Sequence, residues 1–295
     1  LHCHDYHTGL VPFMIENCPE FNFLKGVKTI GTIHNGEYQG QMRWEMASYM
    51  PWFYGEQWGL LDWAGYINPL AAMIKCCSAF NAVSGGYMQE LFHNFRGLES
   101  LVQQEYDKAF GIINGIDTEV WNPETDAFLE VNFNKNNALE GKWKNKKELC
   151  EEYQLNPDLP LFSFIGRFAG EKGADLLPEI VRKSIQETNG SLNVMILGSG
   201  DKNIENQLSD LKNTYTNFAL DLGYKEYLSH KIYASSDFLL MPSRVEPCGL
   251  NQMYAMRYGT VPIVRYIGGL RDTVEDISTG GSGINFGNAT AEDTV

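Results

Sequence analysis

The sequence predicts an α/β fold built on parallel sheets, and two observations carry that expectation. From residue 144 onward, short apolar runs alternate with helical segments through brief connections, the pattern of a parallel sheet covered on both faces. In the stretch 241–274, MPSRVEPCGLNQMYAMRYGTVPIVRYIGGLRDTV, strand ends pass directly into glycine-bearing turns that open helices. Glu246 and the backbone N–H groups around Gly249, Gly268 and Gly269 are thereby brought to strand ends, where an anion and a polyol could be held.

The elements follow in order. The chain opens at the end of a strand, with a helix over 8–17. A β-branched run over 27–33, bounded by glycines, predicts a strand. The aromatic stretch 42–66, with Trp44, Trp52, Trp58 and Trp63, has no clean period and predicts irregular helices and loops packed over the domain. Asn68-Pro69 starts a helix over 70–79, 80–84 is a strand, and Ser84-Gly85-Gly86 opens a helix over 87–92. A helix over 98–108 and a strand over 110–113 close this half. Residues 121–145, rich in Pro, Asn, Asp and Lys, read as an interdomain linker region. Beyond it, helices are predicted over 144–153, 174–186, 204–215, 227–235 and 252–258, and strands over 161–165, 192–197, 218–220, 238–241 and 261–264. The domains are then 1–125 and 126–295.

Composition narrows the function. The 295 residues, 43% hydrophobic, can bury a sizeable core. A net charge of -14, from 23 basic and 37 acidic residues, argues against nucleic acid or an anionic membrane as partner. Six cysteines without a C-x-x-C pair indicate neither a disulfide framework nor a zinc ribbon, so a reducing, cytoplasmic setting is expected. No secretory signal and no membrane span is evident.

Two motifs outside 241–274 carry chemistry. Gly166-Arg167-Phe168 follows a strand and Glu171-Lys172-Gly173 opens a helix, so Arg167 and Lys172 are expected on one strand-to-helix loop. Two fixed cations there would stabilise a leaving phosphate, each charge pair being worth on the order of 4 kcal/mol at ~4 Å before desolvation. A solvated Arg and Lys on a loop is the competing reading. The run His2-Cys3-His4-Asp5-Tyr6-His7 is the one place where a metal could be argued, but His34, His93 and His230 lie scattered, and no metal site is assigned. A P-loop, a G-x-G-x-x-G fingerprint, a D-x-D motif and a G-x-S-x-G elbow are all absent.

EPCGLNQMYAMRYGTVPIVRYIGGLRDTV resembles the nucleotide-sugar site of the bacterial and plant type glycogen and starch synthases. HCHDYHTGL at 2–10, GIINGIDTEVWNPETD at 111–126, GRFAGEKGADLL at 166–177 and LGYKE at 222–226 match the same family in order. The resemblance implies a GT-B fold, two Rossmann-like doubly wound domains facing across a cleft, with the N-terminal one incomplete. It implies transfer of glucose from ADP-glucose or UDP-glucose to the non-reducing end of an α-1,4-glucan with retention, without metal or other cofactor, the nucleoside diphosphate glucose being a substrate. The roles it implies are Arg167 and Lys172 on the diphosphate, Glu246 on the glucose hydroxyls and His4 beside the transferred glucose. Asn114 would contact glucose, or be only a turn residue. Tyr224 would pack on the base, and Cys248, Gly249, Leu250, Gly268, Gly269, Leu270 and Thr273 would line the donor site. His2 and His7 are read as structural. Tyr6 stands where the family usually has Trp, and Tyr254 where many related glycosyltransferases carry a second Glu. Rival readings are a sucrose- or trehalose-phosphate synthase type of transferase, and a non-catalytic glucan- or nucleotide-binding paralogue.

The same resemblance places the family's Lys-rich glycine loop before Leu1 and further helices after Val295. The 295-residue stretch alone is therefore expected to transfer little or no glucose. Glucose incorporation by this stretch, measured beside the full-length protein, checks this, and equal turnover would refute it.

Overall fold

The computed structural model describes all 295 residues, which divide into two compact units, Leu1–Asn114 and Gly115–Val295. The first contains β1 (His2–His4), α1 (Val11–Asn17), β2 (Ile30–Ile33), α2 (Trp58–Leu61), β3 (Asp62–Trp63), β4 (Tyr66–Ile67), α3 (Pro69–Cys76), β5 (Ala79–Ala82), α4 (Gly85–Leu91), α5 (Glu99–Gln104) and β6 (Ala109–Gly111). Its main sheet is parallel in the order β1-β2-β5-β6, and β3-β4 is a small antiparallel pair. The two helix starts legible in sequence are built as expected. Asn68 caps α3 by accepting from the Ala71 N–H (3.0 Å), and Ser84 caps α4 by accepting from the Tyr87 N–H (2.9 Å). The aromatic stretch folds as short 3-10 helices, Trp44–Tyr49 and Gly55–Gln57, around α2, with Phe13, Leu61, Ile67 and Ala72 in the buried centre.

The second unit contains α6 (Ala138–Glu152), β7 (Leu161–Phe168), α7 (Leu177–Glu187), β8 (Asn193–Gly200), α8 (Lys202–Thr214), β9 (Phe218–Leu222), α9 (Glu226–Ser235), β10 (Phe238–Met241), α10 (Asn251–Arg257), β11 (Val261–Arg265), α11 (Gly268–Thr273), β12 (Ile284–Phe286) and α12 (Ala291–Thr294). All six strands are parallel, in the order β12-β11-β10-β7-β8-β9. The chain winds outward from β7 to β9, returns to β10 and winds the other way, so the strand order reverses between β7 and β10. In such sheets a crevice opens at that point, outside the strands' carboxyl ends. No helix of the chain is long and apolar enough to cross a membrane.

The linker reading of 121–145 is corrected. Residues 115–125, placed by sequence with the first domain, belong to the second unit. Leu129 and Phe133 are buried in its core beside Tyr258 and Leu270, Asp126 is buried, and α6 begins six residues before the predicted start. The polar composition misleads because polar groups here are consumed internally. Asn145 donates to the Val131 and Gly141 carbonyls (2.7 and 2.8 Å), and Lys146 pairs with Asp237 (2.7 Å). A polar face turned inward erases the apolar period by which a helix is recognised.

Lys142 is the extreme case. Its Nζ lies within hydrogen-bond distance, 2.8–3.3 Å, of the carbonyls of Tyr233, Ala234 and Tyr258 and of the Thr260 hydroxyl, tying the ends of α9 and α10 together. Burial pushes its ammonium down to about 7, with Asp237 offsetting this only in part. Between that value and the ordinary lysine value of 10.5 the unfolded chain holds a proton that the folded chain has released, so stability rises with pH in this window. From pH 7.5 to 9.5, wild type is expected to gain roughly 2 kcal/mol relative to Lys142→Met in urea denaturation. Parallel pH profiles of the two proteins would show that Lys142 does not titrate there.

Candidate functional site

The carboxyl end of β7 runs past its predicted end at Ile165 to Phe168, because pairing with β8 continues through Phe168 opposite Gly200. Gly198 permits the approach, since a Cβ there would lie 2.0 Å from the Gly166 carbonyl oxygen. Arg167 is therefore a strand residue, which corrects the expectation of a loop position. Lys172 follows in a single 3-10 turn, Gly170–Lys172, ended by Gly173 in the left-handed region (φ 66°).

That turn is clipped to the segment after β10. The N–H groups of Arg244 and Val245 donate to the Glu171 carbonyl (2.8 and 3.1 Å). The Arg244 guanidinium donates to the Gly170 carbonyl (2.9 Å) and forks onto the Asp175 carboxylate. The clip brings Lys172 Nζ to 2.7 Å from both carboxylate oxygens of Glu246. Ser243 donates to the same carboxylate at 2.9 Å, and the Gly269 N–H donates to the Glu246 carbonyl at 3.0 Å. Glu246 is buried (side chain 6% exposed) and Lys172 half-buried (27%), whereas Arg167 projects outward and pairs with Glu171. Each cation singled out in the sequence thus has a carboxylate of its own.

The glycine-bearing turns pack against each other. Gly249 is left-handed (φ 73°), and a Cβ on Gly269 would lie 2.3 Å from the Cys248 carbonyl oxygen. Gln252 donates to the carbonyls of Cys248 and Gly249 and to Thr273 Oγ1 (2.9–3.0 Å), and Thr273 donates to the Gly269 carbonyl (2.7 Å). Cys248, Gly268 and Leu270 are buried, and Leu270 belongs to the core, while Leu250 lies at the surface.

Tyr224 stands apart from this cluster. It is 87% exposed after β9, on the turn at Gly223, and lines a cavity of about 340 Å³ at the carboxyl ends of β7, β8 and β9. Arg167 also lines this cavity, together with Trp121, Ser199, Lys225 and Tyr254, which the sequence reading did not place in a site. For Trp121 a signal existed, the Trp-Asn-Pro within 111–126, but its polar surroundings assigned it to the linker.

In the first unit, β1 and β2 end side by side. His4 Nδ1 lies 2.9 Å from His34 Nε2, and His4 also exchanges hydrogen bonds with the Thr8 hydroxyl. Asp5 has a positive φ of 52°, held by the N–H groups of His34 and Asn35 that donate to its carboxylate (2.7 and 3.3 Å). His2 bonds Thr32 (2.7 Å), which donates to buried Asn81, and His7 stacks on Tyr6. No group of three or more His, Cys, Asp or Glu side chains stands as a metal-ligand set. Asn114 closes this unit, outside any helix or strand. None of the six cysteines forms a disulfide, and burial pushes the Cys76 and Cys77 thiols up to about 12 and about 11.

Comparison with known proteins gives consistent matches. Residues 1–104 match the family model described as starch synthase catalytic domain, and residues 145–291 match that of glycosyl transferases group 1. The glycogen synthase of Flavobacterium johnsoniae is 50% identical over 294 residues, which cover 99% of this chain and 62% of the relative. The glycogen synthase of Streptococcus gordonii is 40% identical, with 98% and 62% covered. Among solved structures, the catalytic domain of starch synthase IV from Arabidopsis thaliana, bound to ADP and acarbose, superposes with a TM-score of 0.87 at 32% identity, over 99% of this chain and 63% of that one. The chain thus spans about 62% of the length of the curated relatives it matches.

The contact between Gly269 and Cys248 is testable by itself. Gly269→Ala must displace backbone rather than a side-chain tip, and is expected to cost roughly 1–3 kcal/mol in urea denaturation. Gly59→Ala, inside α2 where a Cβ meets nothing within 4 Å, should be neutral or stabilising by up to about 1 kcal/mol.

Proposed function

Because the chain belongs to the glycogen and starch synthase family, we propose that the full-length protein transfers glucose from a nucleoside diphosphate glucose, ADP-glucose in the first place, to the non-reducing end of an α-1,4-glucan with retention at C1. The fold is α/β of the GT-B class. The observation that carries the functional reading is the Lys172–Glu246 pair at the strand crossover, its lysine on the turn that follows the strand bearing Arg167, which lines the cavity with Tyr224. The Arabidopsis starch synthase holds ADP and acarbose, which supports a nucleotide and a glucan as the ligand classes here.

In this mechanism the bond between C1 of glucose and the diphosphate oxygen breaks first. The negative charge that accumulates on the departing diphosphate is met by Arg167 and Lys172, and only the part of that attraction which grows during bond cleavage accelerates the reaction. Lys172 starts from Glu246, so a phosphate competes for its ammonium while the glucose hydroxyls donate to the carboxylate. The 4-hydroxyl of the glucan attacks from the face that the diphosphate leaves, and its proton passes to the leaving phosphate oxygen. Tyr224 is assigned to the base, the turns from Cys248 to Leu250 and from Gly268 to Thr273 to the donor, and His4 and Asn114 of the first unit to the transferred glucose. No step requires a metal or other cofactor. Cysteines outside any disulfide support a cytoplasmic setting.

Lys172→Ala in the full-length protein is expected to lower kcat/KM by roughly 10²–10³ while glucan affinity stays unchanged. A variant with normal turnover would overturn the assignment. Dialysis against EDTA should leave the rate of glucose incorporation unaltered, and a loss restored by a divalent cation would contradict the metal-free mechanism.

A further inference from the structure

Trp121 takes no part in that mechanism, yet its surroundings fix it closely. Its indole lies between two rings, His230 at 3.8 Å and 12° and Tyr254 at 3.9 Å and 19° between planes. His230 is in turn held by Asp126, with Nδ1 at 2.6 Å from Oδ2, and the Tyr258 hydroxyl donates to the same oxygen. The side chains of His230 and Asp126 are only 1% and 2% exposed. Burial raises the Asp126 carboxyl, but the bonds from His230 and Tyr258 outweigh it and hold the group below its ordinary range. A buried carboxylate bonded in this way leaves His230 little freedom to turn, and His230 passes that constraint to the indole.

With both faces covered, the indole has only its edge to offer the cavity that it lines with Tyr224 and Arg167. That edge includes an Nε1–H, an obligate donor, which makes no hydrogen bond within the chain. A ring held on both sides, with an unspent donor at a cavity wall, is prepared for a ligand acceptor. We propose that Trp121 is a binding residue of the nucleoside, giving its edge and N–H to a base or ribose acceptor, and that Asp126 and His230 are the positioning residues that hold it there. This rests on the cavity being the nucleoside's seat, as in the proposed function.

The test uses the full-length protein and ADP. Trp121→Phe keeps the stack and removes the donor. Calorimetry should show the Kd for ADP raised about three- to tenfold, the worth of one hydrogen bond, with the KM for glucan unchanged. The ADP-induced change in tryptophan fluorescence should shrink in the same variant. A wild-type Kd together with an unaltered fluorescence change would overturn the inference. Asp126→Asn is the second probe, expected to raise the KM for the nucleotide sugar and leave the KM for glucan alone. If both KM values and kcat moved together with the melting temperature, the pair would serve the fold only and the positioning role would fall. Wild-type protein that bound neither ADP nor UDP would sink the cavity assignment and this inference together, whereas wild-type binding indifferent to Trp121 sinks the inference alone.

Discussion

Glu246 is a carboxylate taken out of water, and the edge of the second unit's sheet is arranged around keeping it compensated. A buried charge without a partner costs several kcal/mol, so the fold has to deliver a cation and further donors to one place. It does so with Lys172, Ser243 and the clip made by Arg244, whose side chain and backbone both reach back to the turn after β7. Each piece comes from one of the two strands that meet where the winding reverses, and a doubly wound sheet opens its crevice there. Neither strand end could hold the pair without the other.

This arrangement bears on how such a site could work. A lysine locked onto a carboxylate is not a bare positive charge waiting for phosphate. It is a charge whose partner must be satisfied by something else before it can move, and sugar hydroxyls are able to do that. In the proposed reaction, nucleotide and sugar would be coupled through this single ion pair, since a diphosphate would gain the ammonium most fully with a hexose on Glu246. Arg167, on the outer part of β7 and paired only with Glu171, is the more readily available of the two cations.

The segment between the regular halves has a comparable logic. Asp126, His230 and Tyr258 bury a polar triad that pins residues 115–133 to the second unit and leaves Trp121 fixed between His230 and Tyr254. Lys142, Asn145 and Lys146 do the same for α6, each spending its polar atoms on carbonyls or a carboxylate of the unit. Apart from His230 Nε2, which has no partner, these buried polar groups are paired, and pairing of this kind specifies one packing because any other would leave them unpaired.

Residue order alone carries whatever local chemistry dictates. The alternation of strands and helices after residue 160, the caps at Asn68 and Ser84, and the acidic residue next to a Pro-Cys-Gly turn all follow from propensity, period and turn geometry within a few residues. Which charges meet is set by the folded packing. That Lys172 belongs to Glu246 and Arg167 to Glu171, that Arg167 lies on a strand lengthened by its pairing with a glycine-bearing neighbour, and that the apparent linker is core were beyond the sequence. Those contacts join residues far apart in the chain, and their polar side chains look solvated until the partner that buries them is in place.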